Sequence, residues 1–277
     1  MVRMLSKILA RLWYALDRRH RLITLRNLEF AYGEAMSPKE RERVARQVFF
    51  NFLTLFFEAL VMLLLPLPAL QRKVIVIGAE NAEEAWKLQK GMLAIVAHAG
   101  NWELTGMVYG MSYHPLAIVA RRHDNPVINR IIRFLRERGG NQMVPKQGGL
   151  KAIISRLKKN QIVGMAIDQN TTTKGGVLVD FFGRRARTTP IAAILARRFG
   201  TPVLPVLSRR LPDGKHLVYI HPPLPMEITA DPEADIRRHV QLQSVAIEAW
   251  VRTCPEQWLW LHKRWKNQYP ELYKNLS

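Results

Sequence analysis

A single cysteine, Cys254, occurs in 277 residues. That scarcity excludes an intramolecular disulfide framework and a cysteine-based zinc site, and it suits a reducing compartment such as the cytoplasm. Nothing metallic is implied. Linkers are missing too, with no Ser/Gly-rich or Pro-rich stretch, no internal repeat and no low-complexity tract. A chain of this length at 48% hydrophobic is expected to bury one substantial core with helical ends. Acidic residues are the third shortage, since 42 Lys+Arg against 22 Asp+Glu leave a formal charge of +20 and a pI near 10.6. So basic a chain points to an anionic partner. Nucleic acid, anionic lipid head groups and an acidic carrier protein all fit, and charge alone does not separate them from a basic surface that serves only solubility.

What is present begins with an amphipathic basic stretch. In MVRMLSKILARLWYALDRRHR, the residues Leu5, Ile8, Leu9, Leu12, Trp13 and Leu16 recur at three- and four-residue intervals, with Arg3, Lys7 and Arg11 on the other side. Lys7 and Arg11 interrupt any apolar core and no small-residue cleavage site follows, so a signal peptide is not expected. The helix either packs on the domain or lies in a membrane interface. A second run, VFFNFLTLFFEALVMLLLPLPAL (48–70), is long enough to span a bilayer. Asn51 and Glu58 inside it, and Pro66 and Pro68 at its end, favour a buried or membrane-dipping helix over a span.

From residue 74 short apolar runs alternate with helical stretches. The runs are VIVIG (74–78), MLAIVA (92–97), LAIVA (116–120), IVGMAI (162–167) and VLPVL (203–207); the helical stretches fall near 102–110, 126–138, 148–158 and 190–199. This alternation predicts an α/β fold with a largely parallel central sheet flanked by helices. Thr189 is the expected N-cap of the last helix, with Pro190 at its first position.

In such a sheet, functional groups gather beyond the carboxyl ends of the strands. His98, in IVAHAGNWELTGM, follows one of them directly. Gly100 permits a tight turn, Asn101 suits an N-cap, and a helix from Trp102 would carry Glu103 in its first turn. The chain would then double back and bring the Glu103 carboxylate onto the His98 ring, fixing its tautomer and raising its basicity. The spacing alone is weak, because eight histidines and 22 acidic residues supply roughly 0.6 such pairs by chance. Its context at a strand end is what lifts it.

HAGNWE resembles the first block of the lysophospholipid acyltransferase superfamily, in the form found in the lipid A late acyltransferases of lauroyl/myristoyl type. VARRHDNPVINRIIRFLRERGG is similar to the second block, and GMAIDQNTTTKGGVLVDFFGRRARTTPIAAILARRFGTPVLPV to the third and fourth. WLWLHKRWK resembles the C-terminal signature. The resemblance covers most of the chain and implies a glycerolipid acyltransferase-like fold. It also implies transfer of a fatty acyl chain from acyl carrier protein thioester to a hydroxyl of a lipid A precursor. His98 would take the hydroxyl proton and Glu103 would orient and charge-balance His98, in a direct attack without an acyl-enzyme. No G-x-S-x-G elbow is present, and Cys254 has no evident base beside it.

By the same resemblance Arg121, with Arg122 as its twin, would bind a phosphate. Asp168 and Gln169 stand at another strand end, where a carboxylate could orient a polar ligand or assist His98, or merely cap a loop or helix. Asn101 and, from a loose cationic group of Lys174, Arg184, Arg185 and Arg187, the residues Lys174 and Arg187 complete the expected substrate contacts. His262 matches a signature position, but the stripe of Trp258, Trp260 and Trp265 around it reads as core or interfacial packing.

The implied organisation is a membrane-associating helical region over 1–70 and a catalytic α/β domain over 71–277, peripheral or monotopic on the cytoplasmic face of the inner membrane. Members of this branch commonly open with a transmembrane anchor, whereas the first helix here carries too much charge to span. No cofactor is expected; acyl carrier protein is a co-substrate. That acidic protein, anionic membrane lipids and a phosphorylated lipid A precursor would all meet a basic face. Two alternatives are a superfamily acyltransferase acting on a phospholipid, glycolipid or ornithine lipid, and a basic nucleic-acid-binding protein, for which no recognition motif is found.

Overall fold

The computed structural model describes residues 2–121 and 124–276, and the side chains from residue 5 onward, so Arg122 and the side chain of Arg3 lie outside the described residues. Four helices come first: α1 (Val2–Leu16), α2 (Arg18–Tyr32), α3 (Pro38–Leu64) and α4 (Leu67–Gln71). Alternation follows, through β1 (Val74–Ile77), α5 (Ala79–Lys87), β2 (Met92–Val96), α6 (Trp102–Ser112), β3 (Leu116–Ala120), α7 (Pro126–Glu137), β4 (Gln142–Pro145), α8 (Leu150–Lys158) and β5 (Ile162–Ala166). A hairpin, β6 (Val177–Phe181) and β7 (Arg184–Thr188), precedes α9 (Ile191–Phe199), β8 (Val203–Arg210), β9 (His216–Ile220) and α10 (Pro232–Thr253).

The main sheet runs in the order β1-β9-β8-β2-β5-β3-β4. Every neighbouring pair is parallel except β8 and β9. The protein is therefore an α/β fold with a largely parallel central sheet flanked by helices. The central strands β2 and β5 are buried along almost their whole length because helices cover both faces. Ile23 and Leu28 of α2 and Val44 and Phe49 of α3 enter the same apolar cluster as Leu93, Ile95, Val163 and Met165. The helix expected to start at Pro190 begins one residue later. The Pro190 carbonyl accepts the first intrahelical bond, from Ile194 N–H at 2.9 Å, which makes Pro190 the capping residue in place of Thr189.

The first helices turn apolar surface outward. α1 buries Ala10 and Tyr14 but leaves Leu5, Ile8, Leu12 and Leu16 exposed, so its apolar stripe is not consumed by packing on the domain. α3 is long and apolar enough to cross a bilayer by length and composition, with 33% of its most apolar window buried. Phe52, Phe56, Leu60 and Leu64, four residues apart, form an exposed row along it. Asn51 and Glu58, the polar residues that interrupt its apolar run, are engaged within the protein. Glu58 accepts from Arg210 Nε and Nη2 at 2.7 and 2.6 Å, and Asn51 donates to the Glu256 carbonyl at 2.8 Å.

Candidate active site

Strand register builds the centre of the site. β2 and β5 are adjacent and parallel, with Val96 opposite Ala166 at their carboxyl ends. Two residues further on, each chain carries its polar group, His98 on one and Asp168 on the other. His98 Nδ1 lies 2.7 Å from Asp168 Oδ1, and the His98 backbone N–H donates to Asp168 Oδ2 at 2.8 Å. An ionised carboxylate only accepts, so Nδ1 carries the proton and a neutral ring presents Nε2 as a free acceptor. Among the described residues nothing bonds Nε2. His98 lies on a narrow cleft walled by Val48, Phe52 and Leu55 of α3 together with Trp102, Trp258 and Leu259. A larger cavity, about 340 Å³, opens between α1 and α3 and is lined by other residues.

Burial works against charge on His98, and the Asp168 carboxylate more than offsets it, so the imidazole is raised above its ordinary value. Asp168 is 3% exposed, and burial raises it. The attraction of His98 and the donors around it win, holding it well below the usual carboxylate range. The pair is thus a base whose charged form is stabilised in advance.

The turn under His98 is fixed from below. Gly100 has φ +62° and lies so near the Arg209 Cα and the Ser208 carbonyl, 3.0 Å each from where a Cβ would stand, that a side chain has neither the conformation nor the space. The segment after α10 runs alongside: Gly100 N–H donates to the Gln257 carbonyl at 3.2 Å and Leu259 N–H to the His98 carbonyl at 3.1 Å. Trp258, between these residues, donates its indole N–H to Asp168 Oδ2 at 2.8 Å. The tryptophan read from sequence as packing is also a direct partner of the acid.

Glu103 is not the carboxylate on the His98 ring. The α6 backbone sends its side chain to α7, where Arg136 Nε and Nη2 grip the two oxygens at 2.7 and 2.5 Å, and Trp102 Nε1 donates at 3.1 Å. The parallel register placed Asp168 against Nδ1 first. Glu103 still acts on His98 through space, raising it while Arg136 opposes. The Trp102 ring packs edge-on against the imidazole at 5.1 Å between centroids. Arg136 was missed because it is one of several arginines on its helix, in the last turn of α7, with no motif of its own.

The remaining expected contacts separate into two groups. Asn101 is wholly buried and both ends of its amide are engaged, the oxygen capping Leu104 N–H at 2.9 Å and the nitrogen on Glu58 at 2.9 Å. It builds the turn, because the α6 cap and the α3 carboxylate engage both ends of its amide. Arg187 is likewise committed, to the Gly176 carbonyl at 2.8 Å and to Gln268 Oε1 at 3.1 Å, which ties down the loop after β5. Arg121 is exposed one strand away from β5 at the same sheet edge, paired with Asp124 at 3.0 Å, and Lys174 is exposed in the loop. Gln169 follows Asp168, with its carbonyl accepting from the buried Arg264 at 3.2 Å.

His262 Nε2 accepts the Asn170 N–H at 3.0 Å, and burial pushes the ring down to about 4, so it is neutral and braces this loop. Burial also pushes the Cys254 thiol up to about 11, which leaves it no thiolate at neutral pH.

Residues 1–267 match the family model described as bacterial lipid A biosynthesis acyltransferase. The lipid A biosynthesis lauroyltransferase of Escherichia coli (strain K12) is 31% identical over 252 residues, covering 91% of this chain and 80% of that protein. The lipid A biosynthesis palmitoleoyltransferase of the same organism is 26% identical over 253 residues, 91% of this chain and 80% of that protein. A phosphatidylinositol mannoside acyltransferase of Mycolicibacterium smegmatis is 26% identical over 194 residues, 69% of this chain and 62% of that protein.

Proposed function

The chain belongs to the bacterial lipid A biosynthesis acyltransferases and is an acyltransferase; from that premise we propose that it moves a fatty acyl chain from acyl carrier protein thioester to a hydroxyl of a Kdo-lipid IVA-type precursor. The observation that carries this reading is the His98–Asp168 pair at the carboxyl edge of the sheet, opening into a cleft walled by apolar residues of α3.

His98 Nε2 takes the proton of the acceptor hydroxyl as its oxygen bonds to the thioester carbonyl carbon. The tetrahedral oxyanion collapses, the carbon–sulfur bond breaks, and the imidazolium returns the proton to the departing pantetheine thiolate. Asp168 keeps Nδ1 protonated and stabilises the imidazolium throughout. Glu103, held by Arg136, adds a second negative charge to that field. Arg121, exposed beyond β3, and Lys174, exposed in the loop after β5, serve the phosphates of donor or acceptor, and Gln169 a polar group beside Asp168. The outward stripes of α1 and α3 seat residues 1–70 on the cytoplasmic face of the inner membrane, so lipid chains reach the cleft without crossing water.

The test is an acyl-transfer assay in mixed micelles, with acyl carrier protein thioesters of several lengths, a Kdo-bearing tetraacyl precursor and His98→Ala alongside. Wild-type product heavier by one acyl chain, absent from the variant, is expected. Near-normal transfer by His98→Ala overturns the mechanism. Thioester consumption that depends on His98 but leaves this acceptor untouched redirects the assignment to another hydroxylated lipid, the reading that the mannoside acyltransferase match favours.

A further inference from the structure

α7 leaves most of its apolar side outside the core. Val127 is 64% exposed, Ile128 48%, Ile131 37% and Phe134 52%, and within the helix only Leu135 is buried. The spacing puts these four on one side. α3 packs beside this helix, and the Arg138 that follows α7 donates to the carbonyls of Met62 and Leu65, so the patch adjoins the exposed end of the α3 row at Leu64. Arg130 and Arg133 flank it, the latter loosely paired with Glu137 at 3.8 Å. From the opposite side of the same helix Arg136 holds Glu103.

We propose that α7 is a second bilayer-contacting element, seated in the interface of an anionic membrane, and that through Arg136 it ties this seating to Glu103 beside His98. The inference rests on the membrane-acyltransferase reading above and adds an element outside residues 1–70. A bilayer is the occupant because the patch continues the row of a helix long and apolar enough to enter one, and because the flanking arginines complement anionic head groups.

Cys254 is the sole cysteine and is buried, so a cysteine at Val127 can be labelled selectively with an environment-sensitive dye in the full chain. On vesicles of phosphatidylethanolamine and phosphatidylglycerol, the Val127→Cys dye should shift to the blue and be quenched by a quencher on the lipid chains. A dye at Glu137→Cys, on the polar side, should do neither. The double variant Val127→Asp/Ile128→Asp should lose vesicle binding by about tenfold. It should also lose transfer to vesicle-borne acceptor by a similar factor, and keep its turnover of a short-chain acyl-pantetheine thioester in solution.

A protein that floats with vesicles while the Val127 dye stays in water overturns the proposal, as does a shift induced by acyl carrier protein without lipid. Equal losses in both turnover assays remove the bilayer from the account. Failure of the transferase reading shows separately, as a labelled Val127→Cys protein whose dye is quenched by lipid while neither it nor the unlabelled wild type transfers an acyl chain.

Discussion

The segments that follow β2 and β5 supply two carboxylates whose charge His98 feels, and they use them in opposite ways. Asp168 lies beyond a central strand, is 3% exposed, and receives three hydrogen bonds from His98 and Trp258. Glu103 lies in the first turn of α6, the helix that follows the other strand, and is matched by a guanidinium from α7. Both are acids at one sheet edge, yet only the first touches the base. The second is opposed by its own partner, so its influence on His98 is the difference between an attraction and a repulsion. The comparison assigns tautomer and charge stabilisation to Asp168 and a tuning role to the Glu103–Arg136 pair.

Asp168→Asn should break the comparison most severely, with kcat/KM falling about 10³–10⁴-fold, since an amide can donate to Nδ1 and leave the proton on the wrong nitrogen. The pH profile carries the sign. His98 must be neutral to act, and its raised value places the acid limb above the ordinary 6.5, with activity lost as pH falls through it. Without the carboxylate, burial remains and pulls the imidazole down, so the residual activity of Asp168→Asn should keep its plateau to lower pH. An unchanged limb in a folded variant would mean that another group sets it.

A third acid sharpens the point by lying beneath the turn. Glu58, 19% exposed, is raised by burial and lowered further by His216 and Arg210, to about 2. Arg210→Met strands that carboxylate and should cost about 3 kcal/mol of stability, read by urea unfolding. Glu58 titrates lower in the folded than in the unfolded protein, so its contribution is present above pH 4.5 and lost as pH falls toward 2. In Arg210→Met that acid-side dependence should shrink, with a smaller effect on the His98 pH limb than on stability.

Much of this was legible in the sequence. The buried runs at β2, β3, β5 and β8 announced a parallel sheet because strands covered on both faces need unbroken apolar residues. The edge strand β4, QMVP, buries only Val144, and β9, HLVYI, alternates, so neither produces such a run. His98 stood out by its strand end, and Asp168 was noticed at another. Which acid meets the ring depends on the neighbour relation and register of β2 and β5, set by packing across 70 residues of chain and not by local spacing. The same holds for Trp258 and Arg136, each brought to its carboxylate by a tertiary contact that no short motif encodes.

Glu103→Gln should lower kcat/KM by about 10–30-fold, less than Asp168→Asn, because the imidazole and its bound acid remain in place. Arg136→Met alone should be comparable or worse, since it leaves a largely buried carboxylate without its cation, held only by the Trp102 N–H. The double variant Glu103→Gln/Arg136→Met should recover part of the loss. That coupling is the signature of a pair acting as a unit, and strictly additive losses would show two independent roles.

Trp258→Phe is the mildest change and the finest probe. The ring packs against Trp260 and Phe181, at 4.6 and 5.5 Å between centroids, and phenylalanine keeps much of that contact. What disappears is one neutral donor on Asp168 Oδ2, an effect of about 1 kcal/mol, or roughly fivefold in kcat/KM. The direction of the pH limb separates two causes. An indole N–H spreads the carboxylate charge, so its removal concentrates that charge on His98 and should move the acid limb slightly upward in pH. A fivefold loss with a stationary limb would make Trp258 a spacer that holds the Gln257–Leu259 segment against the turn, with no part in setting the charge of Asp168.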